Sequence, residues 1–197
     1  TDNMFIPWSV DVKKYLRMGG NDLRVYFHSP VLWGQEKLNT HPRLIPASNE
    51  SKPVGHQTSV FTRKAQYHYG WDWGPRLVTS GIWRPVTLQS WSGARINDIY
   101  CHLDSLSKYS ADYSIKISVE SVNEIDAELT IRMAEKITSH RAFLKQGDNN
   151  LIITRSIKNP ILWWPNGAGK QKMYDVEIIL TQSNRILDRE NEKIGVR

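Results

Sequence analysis

The sequence has almost no cysteine, no long apolar run and no cluster of like charge. A single cysteine, Cys101, stands in 197 residues, which excludes an intrachain disulfide framework and a cysteine zinc site. It lies in an alternating apolar segment, where a buried, inert thiol is expected. No apolar stretch reaches the roughly 20 residues that a membrane helix needs, so no membrane contact is expected. No signal-peptide pattern precedes the opening "TDNMF", an absence without weight if the segment is excised. The net charge is +6, yet no run of five or more Lys/Arg and no nucleic-acid-binding motif occurs, so no nucleic-acid partner is expected. His28, His41, His56, His68, His102 and His140 follow no metal-ligand spacing. No metal and no cofactor are therefore expected. His68 sits between two tyrosines without the nucleophile and orienting acid that a catalytic histidine needs.

Helical patterning is scarce as well. "SVDVKKYLRMGG", residues 9–20, reads as one short helix that Ser9 or Asp11 can cap and Gly19 can end. Residues 33–59, rich in Pro, Asn, Ser and His, read as a long irregular loop. Within it, "NES" at residues 49–51 matches a glycosylation sequon, a pattern short enough for chance to supply.

What is abundant is period-two alternation. "DLRVYFHS" (22–29) places Leu23, Val25 and Phe27 on one face. "GIWRPVTLQSW" (81–91) does so with Ile82, Val86 and Leu88. "ADYSIKISVE" aligns Tyr113, Ile115, Ile117 and Val119, and "AELTIRM" aligns Leu129, Ile131 and Met133. "NLIITRSI" and "MYDVEIIL" are further strand candidates. Such alternation predicts half-buried antiparallel strands and an all-β fold. "GGND", "GDNN" and "QSNR" supply turns. A boundary is expected near residues 92–94. Beyond it, strand signals every ten or so residues suit a small immunoglobulin-like sandwich; before it, strands are too few to close one.

One loop stands apart: "YHYGWDWGPR", residues 67–76, sets Asp72 between Trp71 and Trp73 with Gly70, Gly74 and Pro75 around them. The longer stretch "RKAQYHYGWDWGPRLVTSGIWRPV" resembles the signature region of β-mannosidases in glycoside hydrolase family 2. "NMFIPWSVDVKKYLRMGGNDLRVYFHSP", "NPILWWPNGAGKQKMYDVEIIL" and the closing "KIGVR" resemble the family's flanking segments in the same order. The resemblance implies a partial jelly-roll (galactose-binding-like) sandwich over 1–93 and an immunoglobulin-like β-sandwich over 94–197. It implies that the catalytic TIM barrel, and the opening strands of the jelly roll, are absent from this chain. The expected function is the non-catalytic N-terminal fragment of an exo-acting β-mannosidase, a retaining glycosidase that removes terminal β-D-mannose. Its expected partners are a β-mannoside or manno-oligosaccharide and the missing barrel of the same polypeptide. The alternatives are a stand-alone carbohydrate-binding module and a β-galactosidase- or β-glucuronidase-type relative. Compartment is not fixed; a periplasmic, secreted or lysosomal setting is expected ahead of a cytoplasmic one.

The resemblance implies that Asp72 and Trp71 bind substrate. An indole covers the C–H face of a sugar, and a carboxylate accepts hydrogen bonds from two neighbouring hydroxyls. Against this stands a structural alternative, in which Asp72 caps a turn or pairs with Arg76. Trp73 is expected in the core, and Arg76 as the partner of a carboxylate or carbonyl. At Trp163 and Trp164, one core and one rim tryptophan are expected rather than a sugar platform. No catalytic residue is expected in this chain. Its glutamates, Glu50 among them, read as solvated surface charges, and none lies in a motif for the paired carboxyls of a glycosidase.

Overall fold

The structure, a computed structural model, describes residues 2–47, 50–71 and 73–197. Asp72 therefore lies outside the described residues, as does Asn49 of the sequon. The chain divides into two compact units, Thr1–Thr87 and Leu88–Arg197. Among the described residues the regular structure comprises seven strands, one α-helix and three short 3-10 turns. The class is all-β, and every strand lies in the second unit.

The second unit is a two-sheet sandwich. Strands β1 (Ala94–Leu106), β2 (Ser110–Ser121) and β5 (Gly147–Lys158) form one sheet in the order β1-β2-β5. Strands β3 (Ile125–Met133), β4 (Lys136–Leu144), β6 (Tyr174–Gln182) and β7 (Arg185–Ile194) form the other in the order β4-β3-β6-β7. All neighbours are antiparallel. The alternation read from the sequence is the cause. Tyr113, Ile115, Ile117 and Val119 of β2 are buried, as are Leu129, Ile131 and Met133 of β3. Val176, Ile178 and Leu180 of β6 belong to the same core. Each such aliphatic side chain contributes about 1.5–3 kcal/mol on burial.

The turns obey backbone chemistry. Ser183 and Asn184, both at positive φ, join β6 to β7 in the manner of a two-residue hairpin turn. The turn expected at "GDNN" belongs instead to β5, which begins at Gly147; the reversal precedes it, where the Asn149 side chain bonds both the N–H and the C=O of Lys145. Trp164 is exposed, as the rim member of the expected pair, whereas Trp163 is half-buried and lines a cleft instead of joining the core. The Trp163 N–H donates to the Val196 carbonyl at 2.7 Å.

Residues 1–91 depart from expectation in four stretches. Residues 22–29 and 81–91 form no ladder. Their alternating faces exist but nothing covers them: Leu23 is 72% exposed, and Ile82, Val86 and Leu88 are exposed too. Unpaired, such a face earns no burial and the backbone no ladder bonds. The helix expected at residues 9–19 shrinks to a 3-10 turn, Lys13–Tyr15, with the Asp11 carboxylate accepting from the Lys13 N–H. Conversely, the expected loop contains most of helix α1 (Pro30–Thr40). Ser29 caps α1 by accepting from the Leu32 N–H, and Pro30 opens it, where proline's fixed φ and missing N–H suit a first helical residue. Gly34 lets α1 approach the chain at Thr58, since a Cβ there would lie 2.7 Å from the Thr58 Cβ.

Candidate functional site

The loop at residues 67–76 follows a 3-10 turn, Gln66–Tyr69. Tyr69 is fully buried and is the anchor of this region. Its hydroxyl shares a 2.5 Å hydrogen bond with Thr62 Oγ1, and the Arg76 guanidinium lies 5.5 Å from its ring centre. Burial pushes its phenol pKa up, so it is neutral at physiological pH. Tyr67 stacks on His68 at 4.8 Å between ring centres. His68 is therefore occupied locally, with Nδ1 3.3 Å from the Leu77 carbonyl oxygen.

Gly70 takes φ +102°, a region that suits glycine alone. The chain then reverses between Trp71 and Gly74, whose backbones are linked by Gly74 N–H to Trp71 O at 3.0 Å and by a longer 3.5 Å contact in return. Trp71 is 41% exposed, leaving ring surface for a ligand. Trp73 is 85% exposed, which corrects the expectation that it packs in the core. The expectation was that one of the two neighbouring rings should face inward, and both are exposed, Trp73 the more so. Asp72, the expected acceptor, lies outside the described residues.

Arg76 meets its expectation by pairing with a carboxylate, and the partner is Glu50. Arg76 Nη2 lies 3.1 Å and Nε 3.4 Å from Glu50 Oε1. Glu50 Oε2 accepts from the backbone N–H groups of Thr58 at 2.7 Å and Ser59 at 2.9 Å. The Glu50 side chain is wholly buried, which corrects its reading as a surface charge. Sequence reasoning missed it because its partner lies 26 residues away. The one available signal was Arg76 itself, an arginine needing a carboxylate.

The second unit holds a cleft of about 480 Å³ lined by Cys101, Leu103, Tyr113, Trp163, Met173 and Ile194, with Gly195 and Arg197. Burial, with a smaller contribution from Glu192, pushes the Cys101 thiol up to about 11. It is protonated and a poor nucleophile at neutral pH, as expected. No cluster of three or more potential metal ligands occurs among the described residues.

Comparison with known proteins covers both units. Residues 1–84 match the family model described as glycosyl hydrolase 2 galactose-binding domain-like, and residues 94–197 match that of glycosyl hydrolases family 2. The chain is 34% identical over 201 residues to "Beta-mannosidase B" of Aspergillus fumigatus and 35% identical over 205 residues to that of Aspergillus niger. Each alignment covers all of this chain and 23% of the relative. A crystal structure of a β-D-mannosidase from Dictyoglomus thermophilum superposes with TM-score 0.91 at 37% identity, over all of this chain and 24% of that one. The chain thus spans about a quarter of the length of the relatives it matches.

Proposed function

The chain belongs to glycosyl hydrolase family 2, and from that premise we propose that it is the non-catalytic N-terminal part of an exo-acting β-mannosidase. The observation that carries the reading is the similarity over its whole length, at TM-score 0.91 and 37% identity, to a β-D-mannosidase structure. The names of the fungal relatives agree with it. In this reading residues 1–93 are the later part of a sugar-binding jelly roll and residues 94–197 an immunoglobulin-like domain. The two catalytic carboxyls, about 5–5.5 Å apart in a retaining enzyme, belong to a barrel elsewhere in the polypeptide.

This chain contributes a substrate-binding loop. Trp71 offers an apolar wall, and Asp72 accepts hydrogen bonds from the hydroxyls of the terminal mannose. Bonds to a charged acceptor contribute about 1.5–3 kcal/mol. Their value to the reaction rises if they tighten as the ring flattens toward the oxocarbenium-like state. The hydrogen bond that joins Gly74 to Trp71 supports the role, because a chain already tied across a turn has less freedom to lose on binding.

The test compares the segment and the full-length polypeptide on chromogenic β-mannoside, β-galactoside and β-glucuronide. The full polypeptide should prefer the mannoside, and the segment alone should release nothing above the buffer rate. Preference for another glycoside would replace the substrate assignment. A polypeptide that binds sugars and hydrolyses none would favour a carbohydrate-binding module instead.

A further inference from the structure

Two adjacent residues, Glu50 and Ser51, hold both ends of the Trp71–Gly74 reversal. On the entering side, the Ser51 N–H donates to the Tyr69 carbonyl at 3.1 Å. The Ser51 side chain lies so near Gly70 that an added Cβ would fall 2.0 Å from its Oγ. On the leaving side, the Glu50 carboxylate takes the Arg76 guanidinium at 3.1 Å. Its other oxygen is filled by the Thr58 and Ser59 N–H groups. Both oxygens are thus occupied, so Glu50 has no direct part in binding a ligand.

A buried ion pair is weak evidence for stability, because desolvating two charges offsets most of their attraction. What it supplies is direction, since a guanidinium bound at two nitrogens has few orientations left. Here the direction is imposed two residues beyond Gly74, the closing residue of the reversal. We propose that the Glu50–Ser51 dipeptide is a clasp for this loop, and that Glu50 is a positioning residue that acts through Arg76. The inference rests on the sugar-binding reading of Trp71 and Asp72. It adds that the turn that carries them is braced by a carboxylate from a separate stretch of chain. Misplacing a binding group by about 1 Å can cost about a hundred-fold in rate.

The experiment is a double-mutant cycle in the full-length polypeptide, with steady-state kinetics on a chromogenic β-mannoside and a thermal melt of each variant. Glu50→Gln should lower kcat/KM about ten- to a hundred-fold in the parent background. In the Asp72→Ala background it should cost clearly less, since one of the two groups it positions is gone. Arg76→Lys, which keeps the charge and loses the fork, should behave in the same way from the other side of the pair. It carries the cycle if Glu50→Gln does not fold. Equal losses in both backgrounds would show a general structural role and overturn the clasp while leaving the sugar-binding reading intact. So would a costly Asp72→Ala beside a silent Glu50→Gln that melts normally. A silent Asp72→Ala would sink the sugar-binding reading, and the clasp with it.

Discussion

The two units hold their shape by different means. In Leu88–Arg197 the buried set is almost wholly aliphatic, drawn from facing strands of two sheets. In Thr1–Thr87 the buried residues include Ala47, Ala65 and Tyr69, and beside them Glu50, Gln57, Thr58 and Ser59. Gln57 takes the Ala47 N–H, Glu50 takes those of Thr58 and Ser59, and Thr62 and Tyr69 share a hydrogen bond between their hydroxyls. An aliphatic core stabilises without direction, in proportion to area removed from water. A polar brace contributes little net stability per bond but fixes where each partner points. The second unit therefore reads as a scaffold. The first concentrates its order around one loop.

The sharpest way to break that contrast is to remove the same side chain from each unit. Leu129→Ala empties a fully buried position in β3 and should cost about 2–5 kcal/mol. Leu23→Ala removes a side chain that is 72% exposed and should stay within about 0.5 kcal/mol. Urea melts of the full-length polypeptide, followed by the far-UV signal of the strands, give both values. A Leu23→Ala loss that rivals Leu129→Ala would mean that a partner in the full-length polypeptide covers the front face. The alternation at residues 22–29 would then be a true buried strand.

The second contrast is between losing stability and losing chemistry. Asp72→Ala should lower kcat/KM on a β-mannoside by about ten- to a hundred-and-fifty-fold, the equivalent of about 1.5–3 kcal/mol. Its melting temperature should stay close to that of the parent, because Gly70 and the Glu50–Arg76 pair keep their places without it. Asp72→Asn should be milder, since one acceptor oxygen survives. A variant that melts normally and turns over at the parent rate would remove Asp72 from the sugar. One that unfolds would restore the turn-cap alternative.

A third measurement asks whether the scaffold opens as one body. Burial raises the Cys101 thiol from its ordinary 9.0 to about 11, which lowers the thiolate fraction at neutral pH about a hundred-fold. Alkylation by iodoacetamide should therefore be slow in the native protein and should accelerate through the same urea range that melts the strands. Rapid labelling in native buffer would show that the cleft around Cys101 opens locally, with the core intact.

How far the sequence could be read follows the same division. The buried faces of β2 and β3 were legible residue by residue, because alternation names the face and the neighbouring strands lie in the same unit. The exposed Trp164 and the Ser183–Asn184 turn were legible for similarly local reasons. Alternation at residues 22–29 and 81–91 names a face but not what covers it, so it predicts strands that do not form here. Helix α1 was hidden by its own Pro30 and Gly34, one a start signal and the other a contact point. At the loop, glycine and proline marked a turn, and Arg76 marked a missing acid. Nothing local could say that the acid was Glu50, because an ion pair between distant residues leaves no periodic trace.

The smallest expected effect lies at the sandwich surface, where a polar cluster also occurs in the scaffold. Asp112 of β2 accepts hydrogen bonds from Ser156 at 2.6 Å, Ser105 at 2.7 Å and Ser110 at 2.8 Å. Ser105 belongs to β1 and Ser156 to β5, so one carboxylate ties all three strands of its sheet. The Ser156 bond foremost, then those of Ser105 and Ser110, hold its pKa below the ordinary 3.8. A depressed carboxylate pKa stabilises the folded state while the group is ionised. That contribution is complete above the unfolded value and is lost as pH falls through the lower folded value. Exposure to water keeps it small. Asp112→Asn should therefore be slightly less stable than the parent at about pH 6, and the difference should shrink as the pH falls below the ordinary 3.8. Paired urea melts across that range measure it. A difference that stays constant as the carboxylate titrates would mean that the three hydroxyls hold the strands without favouring the charge. The polar cluster of the scaffold would then differ from the Glu50–Arg76 brace in kind as well as in place.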